Sequence, residues 1–228
     1  MNESSKTRRI RGTEFNQRYL DGKSVIDIGC GTDMVVPWAT PFDVVDGDAN
    51  RLDEYFEPGS FDVVYSSHCL EHMSQPHEVL PRWWRLVKPG GVLITVVPDE
   101  ELYEQGLWPS QFNRDHKWAF TLDAHRLWGN HVIELRNLHL SLPGAQLLDL
   151  QKHDAGYRYD IARSTRENLS RENTGRYYAA RVWARRLGLG WLGLERRGWP
   201  WLARRGIPID QTSGEAMAQL QIIVRKAA

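Results

Sequence analysis

Cysteine is scarce in this chain. Cys30 and Cys69 are the only two among 228 residues, too few for a disulfide framework, so a reducing compartment, the cytoplasm, is expected. No run approaches the ~18 apolar residues that a membrane-spanning helix needs. The stretch from Asn2 to Arg11 is polar and basic with no apolar centre, so no secretory leader is expected. Internal repeats and low-complexity tracts are also missing, which argues against a solenoid or a disordered array. An excess of either charge is absent too: 29 basic residues face 29 acidic ones, so the chain as a whole has no electrostatic pull toward a polyanion. What it does have is a 41% hydrophobic share. In a chain of this length that fills one good core, and a single domain over residues 1–228 is the natural expectation.

The most informative stretch is Val25-Ile26-Asp27-Ile28-Gly29-Cys30-Gly31-Thr32-Asp33. Its β-branched start reads as a central strand, and the two glycines let the backbone turn sharply and approach a ligand. At the carboxyl end of a first parallel strand this turn builds a nucleotide-binding crevice. A dinucleotide fingerprint would want a third glycine, and position 34 is Met34. Asp27 also repels a pyrophosphate and suits a cationic ligand instead. A nicotinamide-dependent oxidoreductase is therefore the weakest of three readings.

Further strands follow in order. Phe42 to Asp48 reads as a short strand ending in acids, where a carboxylate can accept both hydroxyls of a ribose. Phe61 to His68 is entered through the Pro58-Gly59-Ser60 turn. A helix from Pro76 to Val87 is stopped by Lys88-Pro89-Gly90-Gly91, and Val92 to Pro98 is a buried strand. Ala145 to Gln151 and Leu220 to Arg225 read as two more strands.

The series IDIGCG, VVDGDAN, SFDVVYSSHCLEHM and WWRLVKPGGVLITVVPD resembles class I S-adenosylmethionine-dependent methyltransferases of the small-molecule or glycan-methylating group. The likeness is strong over residues 20 to 100 and weaker near 217–226. It implies a Rossmann-like α/β fold: a seven-stranded sheet, six if the third-strand motif is merged or missing, mostly parallel, with helices on both faces and the last strand antiparallel. It implies S-adenosyl-L-methionine as cofactor, held by Asp27, Gly29, Gly31, Ser67 and an acid at the end of the second strand. Asp48 is favoured for the ribose, with Asp46 as the alternative. The first helix is expected to be short, because Pro37 and Pro41 interrupt it.

Two segments stand outside those motifs. Residues from about 99 to 142 follow a strand's carboxyl end and are expected to overhang the crevice as a substrate wall or lid. Within it Asp99, Tyr103 and Asp115-His116-Lys117 form the candidate catalytic group. His116 is the expected base, with Asp115 orienting its ring, and Asp99 is the second choice. His153 and Asp154 are weaker candidates. His68-Cys69-Leu70-Glu71-His72 matches the inverted zinc-protease spacing, but His68 ends a strand rather than opening a helix. The stretch also resembles the Glu-x-x-Glu-His cluster with which some quinone-pathway O-methyltransferases hold a divalent metal, His68 replacing the first Glu. The favoured expectation is no metal, with Glu71 and His72 starting a helix and hydrogen-bonding locally; His68, Glu71 and His72 are the weaker metal candidates.

The second segment, about 165–210, carries Arg176, Arg181, Arg185, Arg186, Arg196, Arg197, Arg204 and Arg205 against Glu195, interleaved with Trp183, Trp191, Trp199 and Trp201. It reads as a cap burying its indoles, or as a contact through 176–206 with an anionic membrane or a lipid-borne substrate. The protein would then sit in the cytoplasm, peripheral at the inner membrane face. Nucleic acid is not expected, since the basic patch is confined to one insertion. The function expected is methyl transfer from S-adenosylmethionine to oxygen of a small molecule or lipid-linked glycan. A scaffold that binds the cofactor without turnover is the alternative.

Overall fold

A computed structural model describes residues 3–186 and 195–228. In the helices flanking 187–194, the side chains of 171, 178, 181–182, 184–186 and 195–197 also lie outside the described residues.

The chain opens with α1 (Glu3–Tyr19), kinked where Gly12 takes a φ of 68°. Strands β1 (Val25–Ile28) and β2 (Thr40–Phe42) follow, then β3 (Phe61–Ser67), α2 (Pro76–Arg85) and β4 (Val87–Pro98). A small parallel pair, β5 (Ala119–Thr121) with β6 (Val132–Glu134), leads into α3 (Leu135–Leu140). Strand β7 (Ala145–His153) precedes α4 (Tyr159–Glu167), α5 (Arg171–Arg186) and α6 (Glu195–Arg204), and β8 (Gln219–Lys226) closes the sheet.

The main sheet has six strands in the order β2-β1-β3-β4-β8-β7. Pairs β1–β2, β1–β3 and β3–β4 are parallel. The last strand, β8, runs antiparallel between β4 and β7. The sheet is thus the six-stranded, merged version of the expectation. Alternate residues divide between two cores, as a two-residue period demands. Ile26, Val64, Leu93, Ile222 and Val224 pack against Leu80, Trp83 and Trp84 of α2 and Leu138 of α3. Val25, Val63, Tyr65, Ile94 and Ile223 pack on the other face against Tyr19, Leu20, Val35 and Val36.

Two expectations fail on the β2 side. No helix joins β1 to β2: residues 29–39 form a loop, with the N–H of Val35 donated to the buried Asp27 carboxylate and Pro37 unable to donate at all. The strand expected from Phe42 to Asp48 ends at Phe42. Asp46 accepts the N–H of Asp43 while its own N–H goes back to the Asp43 carbonyl, closing a turn. The alternation of Val44 and Val45 with acids is therefore misleading, for both valines are almost fully exposed.

Candidate active site

A cavity of about 860 Å³ opens where β1, β2 and β3 end. That is the usual ligand position in a parallel sheet, and the volume falls within the range of small-molecule sites. One wall is the glycine turn. Gly29 faces the cavity with a φ of 74°, and a Cβ there would stand 2.7 Å from that of Cys69, so both conformation and space require glycine. Gly31, φ 53°, shapes the same turn and donates its N–H to Asp43 at 2.6 Å. Asp27 is not on the cavity surface. It lies buried behind the turn, holding the loop through Val35 at 2.6 Å, and burial, with the charge of Asp33 adding to it, pushes its carboxyl up to about 7.

The acids after β2 separate into distinct tasks. Asp43, which sequence reasoning passed over, lines the cavity at the strand's end and ties the glycine turn to β2. Its signal was its place as the first acid after Phe42. Asp48 lines the cavity as well, capping a 3₁₀ turn (Ala49–Glu54), and two bonds from Asn50 lower its carboxyl below the usual range. Asp46 is spent on the turn and lies off the cavity lining. Ser67 is buried at the end of β3, also off that lining.

At His68 the backbone leaves β3 with a φ of 53°, a conformation costly for a side-chain-bearing residue. This turn aims the 3₁₀ turn Leu70–His72 along the cavity's edge. The carbonyl of Glu71 accepts the N–H groups of Lys117 and Trp118 at 2.9 and 3.2 Å, which draws the loop before β5 against it. His116 thereby stands beside His72, ring centroids 5.0 Å apart, and beside Tyr103 at 5.3 Å. His72 and Asp115 line the cavity; His116 is buried just behind them.

The ring of His116 is not oriented by Asp115. Its Nδ1 lies 2.7 Å from Oε1 of the buried Glu104, while Asp115 offers only its carbonyl, to Nδ1 of His72 at 3.1 Å. Nothing in the sequence marked Glu104, which sits twelve residues upstream. Burial, with the surrounding acids adding to it, raises the Tyr103 phenol, which stays protonated and can donate but not act as base. Asp99 is not at the cavity either: buried just past the end of β4, where it caps the turn Glu100–Glu104, it faces Lys152 of β7 at 3.0 Å and accepts the N–H of Glu101. Burial raises its carboxyl despite Lys152. His153 is bonded to Gln151 and Gln219, and Asp154 accepts from Tyr159, so neither is free for chemistry at the cavity.

The donor set suits S-adenosylmethionine. Carboxylates at Asp43 and Asp48 can accept ribose hydroxyls, Phe42 and Met73 offer apolar surface to a flat ring, and the bare backbone of Gly29 permits close approach.

The family model for a methyltransferase domain matches residues 7–160. Among solved structures, a protein of Bacillus halodurans C-125 assigned as a methyltransferase aligns at a TM-score of 0.52 and 14% identity, over 92% of this chain and 95% of that one. A SAM dependent methyltransferase of Archaeoglobus fulgidus aligns at 0.51 and 14% identity, over 99% and 95%. At that identity the likeness is one of fold. A highly reducing polyketide synthase of Aspergillus luteorubrus is 38% identical over 55 residues, 24% of this chain but 2% of that protein's length.

Proposed function

Because the chain belongs to the methyltransferase-domain family, and is a class I S-adenosylmethionine-dependent methyltransferase, we propose that it methylates an oxygen of a small molecule or glycan. The cofactor, when bound, supplies an electrophilic methyl group. The chain's part is to align donor and acceptor and to manage the acceptor's proton. Asp43 and Asp48 hold the cofactor's sugar on one side of the cavity, and Asp27 keeps the glycine turn in shape from behind. The acceptor lies on the opposite side, against the wall built from His72, Asp115 and the 99–142 segment. There His116, its Nδ1–H committed to Glu104, keeps Nε2 as a proton acceptor.

The observation that carries this reading is the pairing of that imidazole with a buried carboxylate directly behind the cavity wall formed by His72 and Asp115. A hydroxyl acceptor gains from a positioned base; an already nucleophilic amine gains far less. Formation of S-adenosylhomocysteine should be followed against a panel of phenols, sugars, lipid-linked glycans and amines. Turnover confined to hydroxyl acceptors is expected. Turnover with amines alone would replace oxygen by nitrogen as the acceptor atom.

The lipid-linked form of the acceptor has its own support. Among the described residues no helix is long and apolar enough to cross a membrane. Trp183 and Trp201 are nonetheless 64% and 55% exposed on α5 and α6, so these two indoles are not buried by a cap. Trp191 and the side chains of Arg181, Arg185, Arg186, Arg196 and Arg197 lie outside the described residues. The exposed pair suits peripheral contact with an anionic surface carrying the acceptor.

A further inference from the structure

Glu71 is completely buried, and neither carboxylate oxygen has a hydrogen-bond partner. An interior carboxylate left this way is costly unless a cation compensates it. Nδ1 of His68 stands 3.5 Å away, beyond good hydrogen-bond geometry, and its Nε2 is occupied by Gln219 at 3.0 Å. His68 alone does not satisfy two oxygens.

Two other imidazoles converge on the same carboxylate. One donor atom from each of Glu71, His72 and His116 lies within 4.8 Å of the other two. Both rings are pinned from outside: Nδ1 of His72 on the Asp115 carbonyl, and Nδ1 of His116 on Glu104. With Nδ1–H donating, Nε2 of each ring carries a lone pair. A histidine whose far nitrogen is held by a carbonyl or carboxylate is the arrangement that orients metal ligands. We infer that Glu71, His72 and His116 bind a divalent transition-metal ion at the cavity's edge. His68 is then a neighbour of the site and not a ligand.

One carboxylate and two imidazoles match zinc-type coordination and favour a borderline ion over Mg²⁺. Tetrahedral metal–donor bonds of roughly 2.0–2.2 Å set donors about 3.3–3.6 Å apart, so atoms that now lie within 4.8 Å of one another must close by up to about 1.5 Å. His72, half-buried, has room to move. The cavity wall between His72 and Asp115 is the side from which a further ligand can enter. The inference rests on the proposed methyl transfer only in placing the acceptor on that side. With the ion bound, Nε2 of His116 would be a ligand and no longer a base; the ion would lower the pKa of a hydroxyl bound to it, and that proton would leave to water in the cavity.

The test uses the full chain, stripped with a chelator and titrated with Co²⁺, whose visible absorption reports coordination. One equivalent should bind, and Glu71→Gln and His116→Ala should lose it. Glu104→Gln, which keeps all three ligands, should weaken Co²⁺ about 10–100-fold, so the inference does not depend on a variant that fails to fold. Calorimetric titration with S-adenosylhomocysteine accompanies each sample. A wild-type chain that binds S-adenosylhomocysteine but takes up no Co²⁺, or a Glu71→Gln variant that binds Co²⁺ as tightly as wild type, overturns the metal site and leaves the methyltransferase reading standing. Co²⁺ uptake without any hydroxyl-directed turnover would count against that reading instead.

Discussion

Nδ1 of His116 and Oε1 of Glu104 lie 2.7 Å apart, and both side chains are buried. The pair joins the end of a single π turn (Glu100–Glu104) to the loop before β5, across twelve residues. Burial makes this contact strong, because water does not compete for either partner. It also fixes the tautomer, so the chemistry available to His116 is set by a residue outside its own motif.

The first prediction separates these neighbours. His116→Ala should lower the turnover number roughly 10²–10⁴-fold, while affinity for S-adenosylhomocysteine stays at the wild-type value. Glu104→Gln should lower it less, about 10–100-fold, as loss of an orienting contact does. Asp115→Asn should leave the rate near wild type, since Asp115 meets the His72 ring through its backbone carbonyl and not through its side chain. Steady-state rates of S-adenosylhomocysteine formation decide it. An Asp115→Asn loss as large as that of Glu104→Gln would return the orienting role to Asp115.

The second prediction concerns the acids after β2. Asp43 and Asp48 line the cavity, whereas Asp46 closes a turn. Asp43→Ala and Asp48→Ala should each lose charge-assisted hydrogen bonds on the order of 1.5–3 kcal/mol, a roughly 10–100-fold rise in the Kd for S-adenosylhomocysteine. Asp43→Asn keeps an acceptor for the Gly31 N–H and should fall between wild type and the alanine variant. Asp46→Ala should change the Kd little. Calorimetry measures all four, and a penalty at Asp46 equal to that at Asp43 would contradict the assignment.

The same acids show what the sequence could and could not reveal. Strands β1, β3, β4 and β8 were legible because buried strands must be apolar and β-branched, and the glycine turn because only glycine tolerates its conformation. Asp43 was hidden by Val44-Val45, which read as strand; β2 ends early because the Asp46 side chain accepts the Asp43 N–H while the N–H groups of Asp46 and Gly47 turn back to the Asp43 carbonyl. Glu104 was hidden for another reason. Its partner is distant in sequence, and the loop that carries that partner is held near it by long-range bonds such as those from Lys117 and Trp118 to the Glu71 carbonyl. Helix α1 carries almost no amphipathic pattern. Tyr19 at its end joins the core, and the rest is held by polar bonds such as Ser5 to Asp33 and Arg11 to Tyr65, which no periodicity announces.

The third prediction is a pH dependence. Burial raises the Asp27 carboxyl to about 7 from an ordinary 3.8. The folded chain therefore holds a proton between those values that the unfolded chain releases, and stability falls as pH rises through that window. Asp27→Asn keeps an acceptor for Val35 without the charge. The variant's Tm, relative to wild type, should climb from pH 4.5 to pH 7.5 and then level off. A constant difference across this range would mean that Asp27 is ionised throughout.

The last prediction tests the surface of α5 and α6. Trp183 and Trp201 are exposed, and Arg205 stacks over the Trp201 ring at 4.1 Å. Stacking lets the guanidinium travel with the indole to a headgroup layer, where each basic residue contributes about 1 kcal/mol on an anionic surface. Full-length protein should co-sediment with vesicles containing anionic lipid and remain free of neutral ones. Salt should release it, since the Debye length shrinks from about 10 Å at 0.1 M to about 3 Å at 1 M. Trp183→Ser with Trp201→Ser should weaken binding at low salt too, because the indoles act through interfacial insertion rather than charge. Equal binding by the double variant would leave arginine alone as the anchor. Wild-type protein that stays in the supernatant on anionic vesicles at low salt would remove the membrane from the proposal and leave an acceptor free in solution.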